Sequence, residues 1–145
     1  MDIRKRKKLL VISCTESKRH LYDRPALEVY NGPSFRVLRK HISDGVDVLI
    51  ISAKYGVINP EFKISDYNLK MTQKRSLELR KSVSYKIDKA LRSGAYDEVF
   101  FELGKTYKES LDLDFSGYLG IHIEFDAGTI GVRLHNLKTW LERNR

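Results

Sequence analysis

The 145-residue sequence holds a single cysteine, Cys14, so no internal disulfide can form and the fold owes nothing to an oxidising compartment. Long hydrophobic runs are missing too. After the basic start Met1–Lys8 the apolar stretch is only Leu9-Leu10-Val11-Ile12. That is too short for a signal-peptide core or a membrane span, so a cytoplasmic protein with no membrane association is expected. Only three prolines occur and no tract is of low complexity, which argues against extended disorder. No Gly-x-Gly-x-x-Gly fingerprint is present, which argues against nicotinamide cofactors, and no Gly-Lys-Ser/Thr ending marks a P-loop. His20, His41, His122 and His135 show no metal-ligand spacing and Cys14 has no partner cysteine, so neither metal nor cofactor is expected. A nucleophile elbow of the Gly-x-Ser-x-Gly type is lacking as well.

What the sequence does have is positive charge, unevenly spread. The net charge is +8, from 27 basic and 19 acidic residues. Residues 1–40 carry 11 Lys/Arg against 4 Asp/Glu, a net of +7, and residues 41–145 carry 16 against 15. A cluster of that kind concentrates polyanions and releases counterions from each phosphate it neutralises. Residues 1–7 are read as a basic tail; a solvated start to a buried strand explains the run Arg4–Lys8 equally well.

The hydrophobic pattern predicts one α/β domain over residues 1–145. Continuous apolar runs at Lys8–Ser13, Val46–Ser52 and Glu98–Leu103 suit strands buried on both faces. A fourth strand is expected at Leu119–Phe125. Helices are expected at Pro33–Ser43, Thr72–Arg92, Gly104–Leu111 and Thr129–Arg143, the last with Ile130, Leu134, Leu137 and Leu141 inward. Residues Tyr55–Asn59 read as a turn. Strands alternating with helices make a three-layer sandwich: a mainly parallel sheet of four or five strands with helices on both faces. Ligands then bind beyond the carboxyl ends of the strands.

Two segments at that edge carry the chemistry. Ser13-Cys14-Thr15-Glu16-Ser17-Lys18-Arg19 offers hydroxyls, a thiol and two cations directly after a buried strand, groups suited to phosphate or carboxylate. Ser52-Ala53-Lys54-Tyr55-Gly56 does the same after the second, and Gly56 allows a positive φ. Tyr55 and Tyr67 are flat surfaces for a base. Expected ligand-binding residues are therefore Ser13, Cys14, Ser17, Lys18, Arg19, Ser52, Lys54, Tyr55, Gly56 and Tyr67. Candidates for catalysis are Glu102, Lys54 and Cys14. Glu102, at the carboxyl end of an apolar strand, needs a partner if buried, for which Lys54, Lys18 and Lys105 are at hand; an end-of-strand residue facing water is an equal alternative.

Several blocks resemble the YaaA-type peroxide-stress family, and more closely a small YaaA-like domain family. They are Cys14-x-x-Ser17-Lys18, Pro25-Ala26, Val29-Tyr30-Asn31-Gly32-Pro33-x-Phe35, Ile51-Ser52-Ala53-Lys54-Tyr55-Gly56-Val57-Ile58-x-Pro60, Tyr67-x-Leu69-x-Met71 and Gly131-x-Arg133-Leu134-x-x-Leu137. The Ser-Ala-Lys-Tyr-Gly block is the most specific. The resemblance implies an α/β domain with a positively charged cleft, associated with DNA or nucleotides and with protection against oxidative stress. A looser similarity to the carboxyl-side domain of archaeosine synthases, and so to the uracil-DNA glycosylase architecture, implies a base-sized pocket. The leading expectation is a nucleic-acid-associated domain that binds a nucleotide, base or phosphate backbone in a basic cleft. The alternatives are a nucleobase-modifying or glycosidic-bond-cleaving enzyme, and a non-catalytic small-molecule or protein-binding module.

Overall fold

The computed structural model describes residues 6–145. Residues 1–5, most of the expected tail, lie outside the described residues. Lys7 and Lys8 already belong to the first strand, so the alternative reading of a solvated strand start holds for them.

The elements in chain order are β1 (Lys7–Ser13), β2 (Arg24–Pro25), α1 (Ala26–Val29), α2 (Pro33–His41), β3 (Val46–Ser52), β4 (Gly56–Ile58), β5 (Lys63–Ile64), α3 (Gln73–Leu91), β6 (Tyr96–Glu102), α4 (Lys105–Lys108), β7 (His122–Phe125) and α5 (Ile130–Arg143). A 3₁₀ turn covers Phe115–Gly117. The main sheet has five strands in the order β4-β3-β1-β6-β7. Its four longer strands are parallel, and β4 runs antiparallel to β3. Strands β2 and β5 form a separate two-stranded ribbon.

Continuous apolar runs in β1, β3 and β6 are what a doubly covered sheet requires. Leu9, Leu10 and Val11 are fully buried, as are Ile50, Ile51 and Phe101. The crossover β1-α2-β3 moves to one side of β1. The crossover β3-α3-β6 moves back past it, so right-handed connections put α2 and α3 on opposite faces. Helix α5 returns to the α2 face and packs against it, with Trp140 stacked on Phe100 at 5.2 Å. Phe101, the next residue, points the other way and stacks on Phe125 at 4.6 Å.

Four details depart from the sequence pattern. The expected turn at Tyr55–Asn59 contains β4, too short to show a period. The fourth strand begins at His122, because Leu119 is 90% exposed. The expected helix Gly104–Leu111 is one turn, Lys105–Lys108. On α5, Ile130 is 62% exposed, and Trp140 takes the core position beside Leu137 and Leu141.

A candidate anion site at the carboxyl edge of the sheet

Because the chain runs from β1 toward one edge and later from β6 toward the other, the loops after these adjacent strands leave on opposite faces. The crevice this opens is the topological switch point, where open α/β sheets hold their ligands. Across it, the Gly104 amide donates to Ser13 Oγ at 3.2 Å, and Cys14 Sγ meets Tyr107 OH at 3.0 Å. A cavity of about 240 Å³ opens here, lined by Cys14, Glu16, Lys70, Gly104, Lys105 and Tyr107 among others.

The β3–β4 connection completes the edge. Ser52 pairs with Gly56, leaving a three-residue tip, Ala53-Lys54-Tyr55. A hairpin of this length needs a left-handed residue at its end, and Gly56 supplies it with φ 73°. Ser52 Oγ accepts the amides of Lys54 and Tyr55 at 3.2 and 3.1 Å and so fixes the tip. Arg75, in the first turn of α3, donates to the carbonyls of Ala53 (2.7 Å) and Lys54 (2.9 Å). The neighbouring Ser76 donates to Thr106 O, so the start of one helix clamps both loops.

Beneath the tip lies a closed ring of three hydroxyls. Tyr30 donates to Ser52 Oγ at 3.1 Å, Ser52 meets Tyr67 OH at 3.0 Å, and Tyr67 meets Tyr30 OH at 2.7 Å. If each donates to the next, every bond strengthens its neighbour. Burial pushes the hydroxyls of Tyr30, Tyr67 and Tyr107 above the ordinary tyrosine range, and the nearby Cys14 adds to the effect, so all three stay protonated donors. Cys14, 6% exposed, accepts from the Ala53 amide at 3.4 Å, and its sulfur also lies within hydrogen-bond reach of the Tyr107 and Tyr67 hydroxyls.

Two lysines converge on this ring from different loops. Lys18 Nζ lies 4.3 Å from the Tyr67 ring centre, and Lys54 Nζ lies 5.4 Å from it. Lys54 also sits 5.2 Å from Tyr55. Among the described residues neither lysine has a carboxylate partner; Lys18 donates to the Glu16 carbonyl. Lys18 is held in place by the antiparallel bridge between its backbone and Tyr30. With Lys18 so close, the Tyr67 ring supports a cation and is not a free stacking surface.

The edge thus brings together Ser13, Cys14, Lys18, Ser52, Lys54, Tyr55, Gly56 and Tyr67. It leaves out Ser17, whose side chain is exposed, and Arg19. The charges of Arg19 and Arg36 fall on Arg39, where burial and these two neighbours lower the pKa. Arg39 itself is spent on structure, donating to Leu27 O, Tyr30 O and Asn31 Oδ1 at 2.9, 2.7 and 2.6 Å.

Glu102 pairs with Arg133 of α5, not with Lys54, Lys18 or Lys105. Alternation along β6 explains this correction. Glu102 shares the face of Phe100, which is the α5 face, whereas β3 and β6 flank β1 and lie about 10 Å apart. Glu102 and Asp126 are 4% and 3% exposed, and each has one carboxylate oxygen without a partner, Oε2 and Oδ2. Burial, then the facing Asp126 carboxyl, raises the Glu102 pKa to about 8 against the opposing pull of Arg133. One proton shared by the two carboxyl groups satisfies both orphan oxygens and leaves the trio electrically neutral. Asn136 donates to the other Asp126 oxygen at 2.9 Å.

Tyr30, Arg75, Tyr107, Asp126 and Arg133 were not among the expected site residues. Tyr30 and Arg133 do stand in the blocks that carry the resemblance, so those blocks were the available signal.

The family model described as "Family of unknown function (DUF6884)" matches residues 9–139. No curated protein matches. A solved structure, the crystal structure of AF0587, a protein of unknown function, aligns with a TM-score of 0.56 at 15% identity and covers 94% of this chain. That likeness is one of fold, and the chain spans 45% of that protein's length.

Proposed function

The chain belongs to the DUF6884 family of unknown function, and from the geometry of its sheet edge we propose that it binds a phosphorylated nucleoside or nucleic-acid backbone at the Lys18–Tyr67–Lys54 site. The observation that carries the proposal is the pair of ammonium groups, 4.3 and 5.4 Å from one tyrosine ring and without carboxylate partners among the described residues. Two such cations gathered at one tyrosine ring make a receptor for a doubly charged anion. The protonated tyrosines beneath them offer only neutral hydroxyls, so an anion meets no repulsion there. Support also comes from the net charge of +7 in residues 1–40 and from the resemblance to YaaA-type proteins. The ligand extends toward the switch-point cavity, where Lys105 and the Gly104 loop line the wall.

The test is fluorescence anisotropy with labelled single- and double-stranded oligonucleotides over a salt series. Binding should weaken as salt rises, and the two site lysines should account for about 1.4 of the logarithmic slope on a single strand. No binding at low salt, or a flat slope, would sink the proposal.

A further inference from the structure

A second concavity adjoins this site. It is a groove of about 860 Å³ on the α3 face, between the carboxyl-terminal half of α3 and the β3–β4 edge of the sheet. Its floor is apolar, with Leu49, Val57 and Ile58. Its walls hold Tyr55, Phe62 and Tyr96, and the exposed Lys86 and Lys89 are the charged groups among its described lining residues. Tyr55 belongs both to the groove and to the anion site. Its ring meets Tyr67 edge-on at 5.9 Å and Phe62 at 5.5 Å, so three aromatic rings run without a break from the site into the groove. Phe62 is 46% exposed, more than core packing requires.

We infer that this groove carries the continuation of a single-stranded nucleic acid whose phosphate is held at Lys18 and Lys54, so that the substrate class is single strand in preference to duplex. The inference rests on the proposed anion site. A single strand presents flat, uncharged bases on one side and phosphates on the other. The groove presents aromatic and aliphatic surface at its floor and walls, cations at its rim and no carboxylate among its described lining residues. A duplex hides its base faces and gains nothing from Phe62 or the apolar floor.

Calorimetry with the full chain, titrated with thymidine monophosphate and with thymidine oligonucleotides of two, four, eight and twelve residues, tests both levels. Affinity should climb from the mononucleotide to the octamer, and a duplex of equal length should bind more weakly. Phe62→Ala should weaken octamer binding roughly 5- to 100-fold and leave the mononucleotide unchanged. Lys86→Glu/Lys89→Glu, on the exposed helix surface, should reduce the octamer salt slope by about 1.4 without touching the mononucleotide. If the mononucleotide binds but affinity is flat with length, or if neither variant alters octamer binding, the groove inference is overturned and the anion site stands. The groove inference also fails, with the anion site intact, if a duplex binds as tightly as the single strand of equal length. If neither mononucleotide nor octamer binds, both fall together.

Discussion

Replacing Glu102 with glutamine should abolish a pH dependence that the wild-type protein must show. In the folded chain Glu102 has a pKa of about 8, against 4.5 for a free side chain. Between these values the folded state holds the extra proton, so unfolding becomes easier as pH rises. The slope approaches about 1.4 kcal/mol per pH unit. Over the window of about 3.5 units the loss is at most about 5 kcal/mol, complete near pH 8 and absent below about pH 4.5. For a domain of this size, that corresponds to a fall in Tm of roughly 10–20 °C. A glutamine keeps the geometry without the titration: its amide donates to Asp126, and its carbonyl accepts from Arg133. Thermal melts of both proteins from pH 5 to 9 should therefore diverge, with similar stability at pH 5 and the variant more stable at pH 9. Every other titrating group is common to the two, so the difference curve isolates Glu102. Parallel curves, or a variant destabilised by more than about 3 kcal/mol at every pH, would refute the shared proton.

Other substitutions probe the site's scaffold. Gly32→Ala would set a methyl group 2.5 Å from Thr15 Cγ2, an overlap expected to cost about 1–3 kcal/mol in denaturant unfolding, and Thr15→Ser should return part of it. Ser52→Ala removes the acceptor of Tyr30 and of the Lys54 and Tyr55 amides, so stability should drop by about 1–3 kcal/mol and amide exchange at the hairpin tip should quicken. Arg39→Lys cannot reproduce three bonds from one planar group; a loss of about 1–3 kcal/mol is expected, and a melt unchanged within about 0.5 kcal/mol would contradict the role given to Arg39.

The fold was legible where burial writes itself into runs of side chains. Leu9–Ile12 and Val48–Ile51 have no polar interruption because both faces of their strands are covered, and the long stripe of α3 follows the helical period. Strand β4 was hidden, since three residues inside a turn cannot display a period. On α5 the stripe misled at Ile130, while Trp140 reached the core through its stacking on Phe100. The candidate anion site was half legible. Strand ends with polar residues located Cys14, Lys18, Ser52 and Lys54. The ring they sit on comes from Tyr30, Ser52 and Tyr67, three distant positions with no local pattern to join them. Glu102 shows the limit most plainly: the need for a partner was readable, but Arg133 stands 31 residues away on another layer.

The proposed function rests on Lys18 and Lys54 jointly holding an anion at the Tyr67 ring. Its most direct test is calorimetric titration of thymidine monophosphate into the wild-type protein and into the double variant Lys18→Gln/Lys54→Gln. Each charge-assisted contact is worth about 1.5–3 kcal/mol, so the double variant should bind at least about 100-fold more weakly while its melting temperature stays within a few degrees. Equal affinity in the two proteins would contradict the account.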